Sequence, residues 1–113
     1  MNAAGEGLDR VFTALADPGR RAMIDRLAQG PASASELARP LTLALPSAMK
    51  HLAVLEASGM VSSQKAGRVR TYRLAPGAFA ALEAWVAKRK QAWSAQFDLL
   101  DAYLAQTKSG DDQ

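Results

Sequence analysis

The sequence contains no cysteine and a single histidine, His51. That composition removes a disulfide scaffold, a thiolate metal site and a thiol redox sensor. It also leaves zinc and the softer metals short of the nitrogen or sulfur donors they need. The C-terminal segment offers Glu83, Asp98 and Asp101 but no nitrogen ligand beside them, so neither a metal nor a cofactor is expected. Catalysis lacks parts in the same way. There is no glycine-rich phosphate loop and no recognisable pair of carboxylates. Ser47 and His51 stand at i and i+4 but have no third orienting group, so no enzyme is expected. No apolar run is long enough to span a membrane, and the N-terminus lacks the basic-then-apolar build of a signal peptide, which predicts a cytoplasmic protein. Acidic residues are scarce in one region. Residues 57–75 carry four Lys/Arg and no Asp/Glu, and residues 17–73 carry nine against four, although the whole chain has a net charge of only +3. The positive charge is concentrated mid-chain, as a polyanionic partner requires.

What is present reads as one mainly helical domain with a small hairpin. Its 113 residues, 49% hydrophobic and 22% charged, suit a globular chain with one core. Residues 1–7 and 108–113 are expected to be disordered. Leu8, Val11, Phe12 and Leu15 recur at helical spacing. Asp17-Pro18 supplies an N-cap and a first-turn proline for a second helix with Ala22, Met23 and Leu27 inward, and Gly30-Pro31 ends it. Ser33 and Glu36 have capping-box spacing for a short third helix that turns Leu37 and Ala38 inward and stops at Pro40. A helix over 46–58 then opens at Pro46 and ends at Gly59. Its inner stripe is Leu45, Ala48, Leu52 and Leu55, and its outer face begins with Ser47, Met49, Lys50 and His51. A short helix, a turn and a longer helix make a helix-turn-helix, whose second helix suits the major groove of DNA.

Strand-favouring residues follow at 61–65 and 68–74 around Ala66-Gly67, with Lys65, Arg68, Arg70 and Arg73 along them. Such a hairpin is either an edge protected by its charges or a wing that follows phosphates into the minor groove. Its place directly after the candidate reading helix favours the wing. Ala75-Pro76 restarts helix, and residues 76–107 extend it for about 45 Å. This helix carries both tryptophans and much of the aromatic content. Its apolar residues exceed what the preceding chain can cover, so the partner expected is a second copy. Leu8, Phe12, Leu82, Trp85, Trp93, Phe97 and Leu100 are the candidate interface residues, with the tryptophans read as dimer core rather than a ligand pocket. Lys88-Arg89-Lys90 reads as a solvated face.

Five segments in register then resemble one family: Leu15-Ala-Asp-Pro-Gly-Arg-Arg-Ala-Met-Ile, Ser35-Glu-Leu-Ala, Leu45-Pro-Ser-Ala-Met-Lys-His-Leu, Leu55-Glu-Ala-Ser-Gly-Met-Val and Gly67-Arg-Val-Arg-Thr-Tyr-Arg-Leu. Together they resemble the ArsR/SmtB winged helix-turn-helix repressors, in the branch without metal-site cysteines. The resemblance covers residues 8–75. It implies a homodimeric regulator, usually a repressor, with a DNA-binding domain over 8–75 and a dimerisation helix over 76–107. The expected partners are an operator in double-stranded DNA and a second copy; an effector is not named by the sequence. Ser47, Met49, Lys50, His51, Lys65, Arg68 and Arg70 are the candidate DNA contacts. Many members carry Ser at the place of Met49 and Lys or Arg at the place of Ala53, so operator preference does not transfer. A winged helix used only for protein contact would carry an apolar or acidic wing, unlike this one.

Overall fold

Capping signals and glycines divide the chain as local chemistry dictates. The computed structural model describes the backbone of residues 3–111 and the side chains of residues 7–107. Of the ends expected to be disordered, residues 1, 2, 112 and 113 lie outside the described residues. Helix α1 (Ala3–Leu15) begins before the expected Leu8. Its buried positions are Val11 and Ala14, while Phe12 turns outward at 41% exposure. Helix α2 (Pro18–Leu27) starts as expected, with Asp17 accepting from the Arg20 N–H at 3.0 Å and Pro18 in the first turn. Strand β1 (Ala32–Ser33) leads into helix α3 (Ala34–Ala38). A 3-10 turn (Arg39–Leu41) and Thr42, at φ 51°, then swing the chain into helix α4 (Leu45–Ala57). Gly59, at φ 82°, takes the left-handed position after α4 that a side chain would disfavour.

Strands β2 (Val61–Ala66) and β3 (Val69–Leu74) form the expected hairpin, and β1 adds a third strand on the far side of β3, giving the antiparallel order β1-β3-β2. Ala32 pairs with Tyr72, and Ser63 pairs with Tyr72 from the other side. The core gathers Met23, Leu37, Leu52, Leu55 and Met60, all at 2% exposure or less. A second unit begins at Leu82 and consists of helix α5 (Ala80–Asp111) beyond its first turn. The expected start at Pro76 is corrected. Ala75 accepts from the Ala78 N–H at 3.0 Å, and Gly77 stands at φ 71°, so Pro76-Gly77 form a tight turn and helix begins only at Ala80.

The α3 start is a reciprocal cap. The Glu36 N–H donates to Ser33 Oγ and the Ser33 N–H donates to Glu36 Oε1, each at 3.2 Å. The bonds from Ser33 hold the Glu36 carboxyl below its ordinary range, against a smaller opposing effect of desolvation. A lowered carboxyl stabilises the fold fully above its unfolded value, and that contribution is lost as pH falls through the lowered one. Ser33→Ala is expected to cost about 1 kcal/mol. A urea titration will register it as a lower midpoint at unchanged slope.

Candidate nucleic-acid interface

Helix α4 has two unlike sides. Ala48, Leu52 and Leu55 are fully buried against the core. Ser47, Met49, Lys50 and Ala53 are exposed on the other side. Leu45, expected to be the first residue of the inner stripe, is 48% exposed. Its angular position on the helix suits the stripe, but it lines an open groove rather than the core.

His51, expected among the DNA contacts, is half-buried and bonded within the fold. Its side chain is only 22% exposed, and Nδ1 lies 3.2 Å from the Arg20 guanidinium and 3.9 Å from Asp17. A guanidinium only donates, so in this contact Nδ1 accepts. The same guanidinium donates to the carbonyls of Ala14 at 2.8 Å and Thr13 at 3.0 Å. Arg20 thereby closes the C-terminal end of α1 and ties it to α4. The Asp17 carboxyl is held below its ordinary value, first by the Arg20 N–H and further by the Arg20 charge, with desolvation opposing. Sequence patterning contains no signal for a contact between residues 20 and 51.

The hairpin turns through Gly67-Arg68, with Gly67 at φ 63° in the first loop position, as a type II′ turn needs. Lys65 sits directly opposite Arg70, on the same face as Ser63 and Tyr72. Like charges placed opposite each other destabilise a sheet unless an anion lies near. Arg70 donates to Ser63 Oγ at 2.9 Å, and Ser63 in turn donates to Glu56 at 3.2 Å, linking the wing to the end of α4. Arg73 donates to Ser62 at 3.4 Å. Among the described residues, the side chains of Lys50, Lys65 and Arg68 have no hydrogen-bonding or ion-pairing protein partner.

Between α3, α4 and the wing runs an open groove of about 430 Å³, which brings Met49, Lys65, Arg68 and Arg70 together. Leu45, Val69 and the start of α3 complete it. Tyr72, 2% exposed, donates its O–H to Met49 Sδ at 3.9 Å. Burial, followed by the Glu56 charge, pushes the Tyr72 hydroxyl above its ordinary value, while Arg70 opposes. Leu45, Val69 and Tyr72 line this groove as well, although none of them is marked as a site residue by the sequence pattern alone. The inward-outward alternation of β3 carried the signal for Tyr72.

The candidate interface residues divide by exposure. Leu8, Leu82 and Trp85 are half-buried. Trp93, Phe97 and Leu100 are 58%, 63% and 50% exposed. Arg89, read as part of a solvated triplet, instead stacks over Trp85 with its guanidinium carbon 4.6 Å from the ring centroid. Among the described residues, no group of three or more His, Asp or Glu is placed to hold a metal ion, and no helix is long and apolar enough to cross a membrane.

A family model described as a helix-turn-helix domain matches residues 15–64. The HTH-type transcriptional regulator Rv2034 of Mycobacterium tuberculosis is 46% identical over 74 residues, which cover 66% of this chain and 69% of that one. The crystal structure of an ArsR family transcriptional regulator, RHA00566, superposes with a TM-score of 0.74 at 50% identity, covering 78% of this chain and 97% of that chain. The homodimeric winged helix-turn-helix DNA-binding domain Mb0332 (fragment 1-100) of Mycobacterium bovis, a possible ArsR-family regulator, superposes with a TM-score of 0.62 at 27% identity, covering 77% of this chain and 82% of that chain.

Proposed function

Because this chain belongs to the ArsR/SmtB family of winged helix-turn-helix transcriptional regulators, we propose that it is a homodimeric repressor of an imperfectly palindromic operator. Each protomer lays α4 in the major groove, with Ser47, Met49 and Lys50 toward base edges and nearby phosphates. Lys65, Arg68 and Arg70 hold the flanking backbone or the adjacent minor groove. Two such helices read half-sites whose centres stand about one helical turn, roughly 34–36 Å, or a multiple of it apart. Bound across a promoter, the dimer blocks polymerase. His51 acts within this scheme from behind the reading surface, by joining α4 to Arg20.

The observation that carries the reading is the set of unpaired cations. Lys65 faces Arg70 across the hairpin, and among the described residues Lys50, Lys65 and Arg68 have no ion-pairing partner. A phosphate backbone supplies what they lack, and releasing its condensed counterions drives association. Homodimerisation of the Mycobacterium bovis domain supports the two-copy arrangement, as does the exposed apolar stripe of α5. Selection from random-sequence duplexes, followed by shift assays at two salt concentrations, tests the reading. One palindromic sequence should be enriched, with affinity that falls steeply with salt while sequence preference persists. Failure to enrich any sequence, with weak binding to every duplex, would favour a winged helix used for protein contact.

A further inference from the structure

We propose that the groove between α4 and the wing reads the 5-methyl groups of thymine, with Met49 and Leu45 as the residues that select them. The proposal rests on the DNA-binding reading and gives it a base preference. The exposed side of α4 is poor in the groups that discriminate bases by hydrogen bonding. The helix contains no Asn or Gln for adenine and no Arg for guanine, and Glu56, at its far end, already accepts from Ser63, which leaves Lys50 and the Ser47 hydroxyl in its first two turns. Against that shortage stand three large apolar side chains in solvent: Leu45 at 48%, Met49 at 44% and Val69 at 56% exposure. All three line the same groove as Lys65 and Arg68. Phosphate binding has no use for an apolar floor inside a basic rim. The thymine methyl is the apolar feature that the bases present in the major groove.

Met49 is suited to this contact in detail. Leu45 and Met49 stand at i and i+4 and form one continuous surface. The thioether is a weak acceptor, and the Tyr72 hydroxyl already donates to it at 3.9 Å. Its terminal methyl is left for apolar contact. Tyr72 is fixed between β1 and β2 and nearly fully buried. It acts as a positioning residue that limits where the flexible methionine chain can lie.

The test takes a duplex enriched by the protein from random DNA and replaces its thymines one at a time by deoxyuridine, which removes only the methyl group. Wild-type affinity should fall about fourfold at one thymine in a half-site, and about fifteenfold when both half-sites are changed, as burial of a methyl-sized group predicts. Met49→Ala and Leu45→Ala should each bind the thymine and uracil duplexes with more nearly equal affinity. Tyr72→Phe should lose part of the discrimination while keeping its ring in the core. If no thymine responds while sequence-specific binding persists, methyl reading is overturned and DNA binding stands. Discrimination that survives intact in both Met49→Ala and Leu45→Ala overturns the assignment to this groove. If no duplex is enriched at all, the DNA-binding reading fails and this proposal fails with it.

Discussion

Replacing Lys50 and Arg68 together by alanine is expected to lower operator affinity by about a hundredfold and to reduce the salt slope by about three to four, because a dimer loses four phosphate-neutralising charges. The two cations come from different elements, the reading helix and the wing tip. Loss of both therefore tests docking of the whole surface rather than one local contact. Neither side chain has a hydrogen-bonding or ion-pairing partner among the described residues, so the thermal midpoint should remain within about 1–2 °C of wild type, as for surface substitutions generally. Arg73→Ala is the matched control. Its guanidinium bonds Ser62 and does not line the groove shared by Met49 and the wing. That variant should lose no more than about threefold in affinity, the size of a rim effect. Fluorescence anisotropy across a salt series checks both variants. A double variant with a wild-type slope would exclude the proposed docking.

Arg70 is unsuited to the same test, although it shares the groove. Its bond to Ser63 continues to Glu56, at the end of α4. Removing it loosens the wing as well as deleting a charge. Arg68, at the turn, carries no such second duty. The hairpin therefore separates cations that shape the wing from cations left for a polyanion. Residue type alone does not reveal this division, since Lys65, Arg68, Arg70 and Arg73 look equivalent along the sequence.

The parts legible from sequence are those set by short-range chemistry. Asp17-Pro18, the Ser33–Glu36 box and Gly59 each act within one helical turn, and each does in the structure what its residue type predicts. Periodicity likewise identified Ala48, Leu52 and Leu55. It failed for Leu45 because a helical period gives direction but not whether another element is present to cover that direction. Pro76 failed for a different reason. Proline suits a first helical turn, but Pro-Gly is also the central pair of a turn with positive φ at its second position, and Gly77 adopts that conformation. Strand β1 has only two residues, too few for any alternation to register. The position of His51 depends on Arg20, whose chemistry is visible in the sequence but whose proximity is created only by packing α2 beside α4.

Phe97→Asp should convert the protein to a monomer at about 10 µM and weaken operator binding by about 10²- to 10⁴-fold, the loss expected when two linked half-site contacts become independent. Trp93, Phe97, Leu100 and Leu104 follow helical spacing along α5 and are at least 50% exposed. They run along a helix of 32 residues, about 48 Å long. An exposed apolar stripe over residues 93–104, about 17 Å of that helix, is costly in water and is relieved by an identical stripe on a second copy. An aspartate at its centre would bring two carboxylates into the shared surface without counter-charges. Leu99→Asp introduces the same charge in the same helix, at a residue 69% exposed and on the opposite face. It should leave the dimer intact, which separates loss of pairing from a general effect of charge on the helix. Sedimentation equilibrium with the operator shift assay measures both variants. If Phe97→Asp remains dimeric, the stripe does not hold the protomers together. If it becomes monomeric but binds the full palindrome with unchanged affinity, DNA recognition does not depend on two copies.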